Sequence, residues 1–327
     1  MLNNKNFKYK KTWLITGGAG FIGSNLTEYL LKNNQKVIVI DNLSNGKIEN
    51  INSIKNKFNK KNLIFIKSDL LNVNFNRKMF NNVRYIVHLA ALGSVPRSYD
   101  ELNYSAKNNI NITLKVLESF KKKKIERIII SSSSSVYGEL KQKKKNEKLI
   151  CKPKSPYGVS KYAIEMYSEL YSQKYNIPIT IIRLFNVFGP YQRVDSFYSA
   201  VIPKWIYSIF NNKKLKIFGT KKISRDFTYV DNVIYAIYLI VTKNKILKKF
   251  EIFNIACGKS ISLGYVIVSL KKILKINNIK EKREKKREGD ITYSEASLIK
   301  SKKILKYKPI TKFSEGIKLT LKWYTKN

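Results

Sequence analysis

The stretch Thr12–Asp41, TWLITGGAGFIGSNLTEYLLKNNQKVIVID, determines how this chain folds. It opens with a short apolar run that predicts a strand, and periodic apolar residues further on predict a helix. Between the two lie three glycines at three-residue spacing, Gly17, Gly20 and Gly23. A second apolar run then ends on Asp41. Strand, tight turn, helix, second strand and acid in this order are typical of a dinucleotide-binding unit.

Each glycine of the turn has a physical role. Gly17 turns the chain at backbone angles that a side chain would forbid, and Gly20 lets main-chain N–H groups approach a pyrophosphate. Gly23 lets the helix and the strand pack closely. The helix begins at Phe21 and Ile22, and we expect its N-terminus to face the phosphates.

Asp41, at the end of the second strand, decides the predicted cofactor. Its carboxylate can accept hydrogen bonds from both hydroxyls of an adenosine ribose, but it would repel a 2′-phosphate, so we predict NAD rather than NADP. The loop that follows, with Asn42 and Ser44, is rich in turn-forming residues and suits a lid over the adenosine. Asp69 and Leu70, after the third predicted strand, are expected beside the adenine.

Strand and helix patterns continue to alternate after this unit, which predicts an α/β fold. The alternation predicts a doubly wound parallel Rossmann sheet with ligands at its carboxyl edge. We expect residues 1–185 to form an NAD-binding domain, to which residues 226–260 return. Residues 186–225 and 261–327 are expected to form a smaller C-terminal substrate lobe.

The composition of the 327 residues restricts the expected partners. A formal net charge of +42 would suit nucleic acid, but the lysine runs fall in predicted loops and helix ends without interleaved aromatic residues. No apolar run approaches the ~20 residues of a membrane span, and the N-terminus lacks the apolar core of a signal peptide. We therefore expect a cytoplasmic protein with no nucleic-acid or membrane partner. Cys151 and Cys257 lack metal-ligand spacing, so no metal site is predicted.

The strand that contains His88 runs into a segment of small residues. Ala90 and Ala91 let the backbone pass close to a ligand there, and they are predicted to contact the cofactor together with Asn109 of the next helix. His88 is the one histidine of the chain. Because His88 lies within a predicted strand and not in a loop, we predict that it is buried and structural.

Tyr157 and Lys161 lie four residues apart, on one face of a helix that Pro156 starts. The pKa of a phenol is ordinarily ~10. A lysine cation one turn away and a positive nicotinamide ring would stabilise the phenolate and bring this pKa towards neutrality. A hydroxyl from the serine run 131–135 could pass the proton between phenol and substrate. The alternative is an ordinary pair of surface residues.

With these motifs in place, the chain resembles the extended short-chain dehydrogenases/reductases that act on nucleotide sugars. It is most similar to the bacterial UDP-N-acetylglucosamine 4-epimerases, including the related Vi-type enzymes that act on the uronic acid. The motifs that carry the resemblance extend over nearly the whole chain: TGGAGFIGSNL, HLAALGSVPRS, SSSSSVYG, SPYGVSK, RLFNVFG, AVIPKW, SRDFTYVDN and REGDITYS.

The resemblance implies a role for each candidate residue. Tyr157 would be the base, Lys161 its partner and a ribose ligand, and Ser133 the bridging hydroxyl, with Ser134 as a second candidate. Other residues match family positions that line the substrate pocket: Gly93, Ser94, Asn186, Ala200, Val201, Arg225, Arg287 and Asp290.

Two arginines of this set, Arg225 and Arg287, would clamp the diphosphate, a use that suits the guanidinium fork. For Arg287 the alternative is a surface salt bridge, because it lies within a run of charged residues.

Three local details bear on the reaction and the sugar. Related 4,6-dehydratases carry an Asp-Glu pair where this chain has Ser134 and Ser135, and decarboxylating relatives keep a glutamate at the second position. Both reactions are therefore disfavoured. Ser294 stands where epimerases restricted to plain hexoses present a tyrosine, and a serine leaves room for a 2-acetamido group. The GPYQRVDS loop departs from the family pattern and leaves the C6 group of the sugar open.

The resemblance thus implies an NAD-dependent 4-epimerase of UDP-N-acetylhexosamines, UDP-GlcNAc and UDP-GalNAc, in which C4 is transiently oxidised, the keto sugar turns over and the hydride returns. The alternatives are a 4-epimerase of UDP-GlcNAcA or of UDP-glucose. A non-catalytic NAD-binding or polyanion-binding protein is the alternative from another class.

The resemblance also implies a homodimer, because such enzymes pair through the helices at residues 108–120 and 157–175. Apolar residues on both helices are compatible with that pairing: Ile110, Leu114, Met166 and Leu170. Burial within one subunit explains them equally well.

Overall fold

A parallel sheet with helices on both faces forms the centre of the computed structural model, which describes residues 7–194, 200–287 and 289–326. The elements of its first part are β1 (Thr12–Thr16), α1 (Phe21–Lys32), β2 (Lys36–Asp41), α2 (Ile48–Lys57), β3 (Leu63–Lys67), β4 (Val83–His88), α3 (Val95–Asp100), α4 (Leu102–Phe120), β5 (Arg127–Ser133), β6 (Lys144–Lys145), α5 (Pro156–Tyr175) and β7 (Ile179–Leu184).

The elements of the later part are shorter. They are β8 (Val187–Phe188), α6 (Val201–Phe210), β9 (Leu215–Phe218), β10 (Ser224–Arg225), β11 (Thr228–Tyr229), α7 (Val230–Thr242), β12 (Phe250–Ile255), β13 (Ile261–Ser262), α8 (Leu263–Leu274), β14 (Glu281–Glu284), β15 (Glu295–Ala296), α9 (Ile299–Leu305) and α10 (Phe313–Tyr324). The end of the GPYQRVDS loop, from residue 195, and Glu288 of REGDITYS lie outside the described residues.

The seven strands of the central sheet are all parallel and follow the order β3-β2-β1-β4-β5-β7-β12. β1 lies in the interior, where Thr16 is in register with Ile40 of β2 and with His88 of β4. The order of connection reverses between β1 and β4, so the loops after these strands diverge and leave a crevice. This confirms the predicted doubly wound parallel sheet.

Alternate strand residues are buried against opposite faces of the sheet. In β1, Trp13 and Ile15 join one apolar cluster, whereas Leu14 joins the other. Helices α1, α2 and α7 contribute buried residues to the first cluster, and α4 and α5 contribute to the second. Burial on both faces explains why the strands are almost continuously apolar. None of the helices in the described ranges is long and apolar enough to cross a lipid bilayer.

The smaller C-terminal lobe is built from short strand pairs and helices. β9 pairs with β14 and β10 with β13, while β12 returns to the edge of the central sheet. Asp226, which is fully buried, accepts hydrogen bonds from the backbone N–H groups of Cys257 (2.9 Å), Gly258 (2.9 Å) and Ala296 (3.1 Å). These bonds fix the segments after β12 and within β15 against the centre of the lobe.

His88 is buried and structural, as its position in a strand predicts. Its Nδ1 lies 2.7 Å from the hydroxyl of Thr16, and its Nε2 lies 2.9 Å from the hydroxyl of Thr113. Burial lowers the pKa of His88 to about 3, and the nearby Lys161 cation adds to this effect. The ring is therefore neutral at physiological pH and joins β1, β4 and α4.

Gly23→Ala should destabilise the fold, because a Cβ at this position would lie 2.2 Å from the carbonyl oxygen of Gly17 and 2.6 Å from Cα of Gly18. Both are backbone atoms of a tight turn, so the turn itself must move. We expect the free energy of unfolding to fall by about 3 kcal/mol in urea denaturation. The control is Gly264→Ala, where the nearest atom lies at 3.5 Å. Equal losses in the two variants would contradict this explanation.

Candidate active site

A cavity of about 610 Å³ opens at the carboxyl edge of the sheet, at the crevice between β1 and β4. The ends of β1, β2, β4 and β5 contribute to its wall, and so do α5 and the lobe elements α6 and β9. A cavity of this volume can hold a dinucleotide or a sugar nucleotide, or a large part of either. It is the place where doubly wound sheets bind ligands.

The glycine turn forms one end of the cavity. All five cofactor-binding residues predicted in the turn and at the start of α1 line it: Gly17, Gly20, Phe21, Ile22 and Gly23. Gly17 has a φ of 71°, and a Cβ there would lie 2.8 Å from the backbone nitrogen of Ala90. No side chain among the described residues caps the N-terminus of α1. The first N–H groups of the helix are therefore left to bind an anion.

Asp41 lies at the end of β2 and lines the same cavity. Its carboxylate accepts hydrogen bonds from the backbone N–H groups of Ala19 (3.0 Å) and Leu43 (2.8 Å). Burial raises the pKa of Asp41, and these backbone donors oppose the rise. The hydrogen bonds fix the carboxylate beside the glycine turn, where a ribose attached to the pyrophosphate would reach it.

The other residues predicted on the adenosine side also line the cavity: Asn42, Ser44, Asp69, Leu70, Ala90 and Ala91. Asp69 accepts a hydrogen bond from the backbone N–H of Leu71 (2.9 Å), so its carboxylate is held at the end of β3. Asn42 donates to the same side chain at 3.5 Å. This side of the cavity is polar and is formed largely by the loops after β2 and β3.

Tyr157 and Lys161 lie on the first two turns of α5, whose start is fixed on both sides. Ser155 caps the helix by accepting a hydrogen bond from the N–H of Gly158 (3.0 Å), and the N–H of Tyr157 donates to the hydroxyl of Ser98 (3.1 Å). The Nζ of Lys161 lies 5.9 Å from the centroid of the Tyr157 ring. Both side chains line the cavity, and so does Ser133.

The strand end of β5 holds both groups in place. The Nζ of Lys161 donates to the carbonyl oxygen of Ser131 at 2.8 Å. Burial raises the pKa of Tyr157 to about 12, while its hydrogen bond with Ser133 acts in the opposite direction. Burial lowers the pKa of Lys161 to about 8, against the effect of the Glu165 carboxylate. The phenol alone is thus protonated at neutral pH, and further positive charge is needed to make it a base.

The residues predicted to bind substrate also line the main cavity: Gly93, Ser94, Asn186, Ala200, Val201, Arg225, Arg287 and Asp290. The Nη2 of Arg225 lies 2.8 Å from Oδ1 of Asp290. The Arg287 guanidinium lies 3.7 Å from the centroid of the Phe218 ring. Two guanidinium groups therefore line one cavity with the glycine turn and the phenol, so one extended ligand could contact all three.

Three predicted site residues do not line the main cavity. Asn109 is buried behind its wall: its amide donates to the Ser160 hydroxyl (2.9 Å) and accepts from the N–H of Leu92 (2.7 Å), while the neighbouring Asn108 lines the cavity. Ser134 lies in a second cavity of about 110 Å³ instead.

Ser294 is the third of these residues. It is 1% exposed, and its backbone N–H donates to the carbonyl oxygen of Ser224 at 3.2 Å. A side chain as short as that of serine ends within the packed lobe, so Ser294 does not contact the main cavity directly.

Sequence reasoning missed several residues of the wall, including Asn108, Lys216 and Phe218. Phe218 ends β9, and the only signal for it was an aromatic residue at the end of the LKIFG segment. Its position against Arg287 follows from the pairing of β9 with β14, which joins residues far apart in sequence. In the described part of the chain, no group of three or more His, Cys, Asp or Glu side chains could hold a metal ion.

Comparison with known proteins gives one matching family model, described as the NAD dependent epimerase/dehydratase family, over residues 13–256. Among solved structures, the UDP-N-acetylglucosamine 4-epimerase of Methanobrevibacter ruminantium M1, in complex with UDP-N-acetylmuramic acid, is 36% identical with a TM-score of 0.89. The match covers 97% of this chain and 99% of that protein.

Two further structures are similar along nearly their whole length. The UDP-glucuronic acid 4-epimerase of Bacillus cereus, in complex with UDP-glucuronic acid and NAD, is 32% identical with a TM-score of 0.88, over 96% of this chain and 99% of that one. The UDP-glucose 4-epimerase of Thermotoga maritima, with UDP-glucose, is 33% identical with a TM-score of 0.87, over the same shares. The chain therefore belongs to the NAD-dependent epimerase/dehydratase family, within the extended short-chain dehydrogenases/reductases that its motifs resemble.

Proposed function

We propose that the chain is an NAD-dependent 4-epimerase of UDP-N-acetylhexosamines, which interconverts UDP-GlcNAc and UDP-GalNAc. One observation carries this proposal: Tyr157, Ser133 and Lys161 line the same cavity as the glycine turn and the arginine pair. A dinucleotide cradle, a proton relay and a diphosphate clamp are what transient oxidation at C4 of a nucleotide sugar requires. Three similar enzymes of known structure are UDP-sugar 4-epimerases by name, which supports the class of substrate.

The residues around the glycine turn fit NAD. The turn has no side chains at the points of closest approach, α1 presents free N–H groups, and the Asp41 carboxylate is held where a ribose would lie. When bound, NAD would accept the C4 hydrogen as hydride and return it, so that the reaction has no net redox change. Lys161 and Asp41 would bind the two riboses.

The proton of the sugar 4-hydroxyl would pass through Ser133 to Tyr157. Ser133 lies close enough to the phenol to lower its pKa, and its own hydroxyl donates to the hydroxyl of Ser135 at 3.1 Å. Lys161 lies one helical turn away and is cationic at neutral pH. The positive charge of the cofactor would add to that of Lys161 and lower the pKa of Tyr157 from about 12 towards neutrality. The same groups would return the proton after the hydride comes back.

The choice of reaction rests on the residues after Ser133. Ser134 and Ser135 occupy the positions at which the family resemblance places the acids of dehydratases. Hydroxyl groups can donate and accept hydrogen bonds, but they do not release or take up protons near neutral pH. Elimination of water would lack its proton carriers here, which favours epimerisation.

We base the preference for an N-acetylated sugar on the room that is left for its 2-acetamido group, and not on a residue that would contact this group. Ser294 lies within the packed lobe and sends no side chain into the cavity. The resemblance places a tyrosine here in relatives restricted to plain hexoses, and that ring would occupy the space of a 2-acetamido group. A serine removes this steric block.

A second substrate, the uronic acid form, is favoured by the smaller cavity. Its wall contains Ser134, Ser135, Lys154 and Arg225, together with the carboxylate of Asp290, which pairs with Arg225 at 2.8 Å. Hydroxyl donors and cations suit a carboxylate. Lys154 already pairs with Glu139 at 3.6 Å, so we rank this candidate second.

We further propose that residues 1–185 and 226–260 hold NAD, while residues 186–225 and 261–327 hold the sugar nucleotide. Both parts contribute to the wall of the cavity: Asp41, a predicted NAD ligand, belongs to the first part, and Arg225, a predicted substrate ligand, belongs to the second. The two cysteines are free, which fits the reducing cytoplasm that we propose as its location.

Incubation of purified protein with UDP-GlcNAc, UDP-GlcNAcA and UDP-glucose tests the function. We expect conversion of UDP-GlcNAc to UDP-GalNAc, because the site has the relay for C4 and room for the acetamido group. The anomeric proton signals in NMR spectra distinguish each epimer pair. Faster conversion of UDP-GlcNAcA would favour the second candidate, and inactivity towards all three would refute the proposal.

The matched control for this assay is Tyr157→Phe, which removes the phenolic oxygen and leaves the ring. We expect the turnover number to fall by roughly 10²- to 10⁴-fold, the range associated with loss of a general base. NAD binding, followed by fluorescence, should persist. Unchanged activity would instead support a non-catalytic NAD-binding protein.

Asp41→Asn should weaken the preference for NAD over NADP. The variant loses the charged acceptor for the ribose hydroxyls and the repulsion of a 2′-phosphate, so the dissociation constant for NAD should rise roughly tenfold. The affinity for NADP should improve relative to NAD. Titration of both cofactors measures the change. Because Asp41 also accepts two backbone hydrogen bonds, parallel losses for NAD and NADP would indicate a damaged turn instead.

We propose a homodimer that pairs through α4 and α5. Met166 and Leu170 on α5 are 54% and 60% exposed, whereas Ile110 and Leu114 on α4 are partly buried. Leu170→Glu should therefore shift the mass in light scattering from dimer to monomer. The control is Val268→Glu on α8, an equally exposed apolar residue. A monomeric parent protein, or a dimer unaffected by the Leu170 change, would contradict this pairing.

A further inference from the structure

Glu165 is a buried acid that the proposed reaction does not use. It lies one helical turn after Lys161 on α5, as Lys161 lies one turn after Tyr157, so the three side chains form a row along one face of the helix. Glu165 is 2% exposed. A buried carboxylate is costly unless it is paired and hydrogen-bonded, so its partners indicate its role.

The partners of Glu165 come from the two strands beneath the helix. Arg183 of β7 forms a fork on the carboxylate, with Nε at 3.0 Å from Oε1 and Nη2 at 2.7 Å from Oε2. The hydroxyl of Ser132 in β5 donates to Oε1. Ser132 and Arg183 are register partners in the sheet. The carboxylate therefore joins α5 to the carboxyl ends of both strands.

Ser132 lies between the two residues that hold the proton relay. The carbonyl oxygen of Ser131 accepts from Nζ of Lys161 at 2.8 Å. Ser133 lines the cavity with Tyr157 and lies close enough to the phenol to lower its pKa. A strand end that is fixed at its middle residue is also fixed at its neighbours. The hydrogen bond from Ser132 to Glu165 thus sets where the lysine and the phenol find their partners.

Arg183 is itself held from the other side. Its guanidinium lies 4.7 Å from the centroid of the Tyr137 ring, and the Tyr137 hydroxyl donates to Oδ1 of Asn254 in β12 at 2.8 Å. In the described part of the chain, Nη1 of Arg183 has no hydrogen-bond partner. The fork is therefore oriented by Glu165 and by the aromatic face, and both lie within the core.

We propose that Glu165, oriented by Arg183, is a positioning residue that anchors the end of β5 for the Tyr157 relay and keeps Lys161 cationic. This rests on the proposed function, because the groups it positions are the proton relay of the epimerase. Glu165 itself contacts neither the phenol nor the cavity. It acts through Ser132 and through its charge.

The charged surroundings of Lys161 explain the second part of this role. Burial lowers the pKa of Lys161 to about 8, and Glu165 is the group that raises it again. From β4 the lysine faces His88, which is neutral, and on its own helix it faces the phenol of Tyr157. Arg183 lies beyond Glu165 and adds positive charge. Of these groups Glu165 alone is an anion, so without it the lysine would lose its proton at a lower pH.

Glu165→Gln tests the charge, with Glu169→Gln as the matched control: the same substitution one turn further along α5, on an exposed side chain. Activity needs protonated Lys161, so we expect the alkaline limb of the turnover number to move about one pH unit lower. The turnover number at pH 8 should fall about fivefold, the ratio of the protonated lysine fractions for pKa values of about 8 and about 7, with little change in the KM for the sugar. Glu169→Gln should leave the profile in place. A folded Glu165→Gln variant with the parent profile would overturn the proposal.

Ser132→Ala tests the anchor without removing the ion pair. We expect a threefold to tenfold lower turnover number, an unchanged KM and an alkaline limb at the parent position. Glu165→Gln leaves Arg183 as an unpaired buried cation and could therefore fail to fold. In that case Ser132→Ala alone tests the anchoring role of Glu165. A parent-like turnover number in Ser132→Ala would then overturn the anchoring role.

A readout without turnover separates this inference from the proposed function. The ionisation of Tyr157 in the NAD complex can be followed as phenolate absorbance, taken as the difference between the parent protein and Tyr157→Phe. For the Glu165→Gln variant, the reference is the double variant that also carries Tyr157→Phe. We expect the phenol of Tyr157 to ionise at a higher pH in Glu165→Gln than in the parent protein, because Lys161 has lost its charge. If the parent turns over no UDP-sugar but this shift is present, the positioning role stands and the proposed function fails. If the parent is active and no shift occurs, the positioning role fails.

Discussion

The site depends on the close approach of three pieces of backbone at one point of the sheet. A side-chain carbon on Gly17 would lie 2.8 Å from the backbone of Ala90, and one on Gly23 would lie 2.2 Å from the carbonyl oxygen of Gly17. The first contact joins the ends of β1 and β4, and the second holds α1 against the turn. Because the chain reverses its order of connection between these strands, the crevice and the free helix N-terminus occur together.

Burial acts on the reacting groups in a way that couples proton transfer to cofactor occupancy. It raises the pKa of Tyr157 to about 12 and lowers that of Lys161 to about 8, so both groups are driven towards their neutral forms. A cation brought in beside the phenol would have a large effect in such surroundings, since few water molecules screen it. On the proposed function, the base forms only when the oxidant is bound. The buried pair of Glu165 and Arg183 supports this arrangement from behind, where it can hold charge without competing for the substrate.

The sequence allowed most of the cavity wall around the glycine turn to be named in advance, because its signals are local, while the binding role of these residues stays a prediction. Strands, glycine spacing and the acid of Thr12–Asp41 lie within one supersecondary unit, and every residue predicted around the turn lines the cavity. Asn109 was misplaced because neighbouring helical positions point in different directions, and only the packing of α4 on α5 shows that Asn108 faces the ligand side. Ser294 and Phe218 depend on short strands that pair across long separations, which no local pattern reports.

The same distinction explains why the reaction is easier to infer than the sugar. On the proposed function, the reaction depends on Tyr157, Lys161 and Ser133, which a helix face and a strand end bring together with little freedom. On the proposed function, the sugar would be selected by the space left over in the lobe, and the residue that the resemblance links to this choice, Ser294, is buried behind the wall and has no chemical signature. Removing a steric block widens the range of substrates rather than selecting one, so discrimination among acetylated, plain and uronic sugars must come from the polar groups that remain. On the proposed function, Ser134 and Ser135 would supply such groups beside the smaller cavity, because their hydroxyls can bind a substituent of the sugar while leaving proton transfer to the phenol.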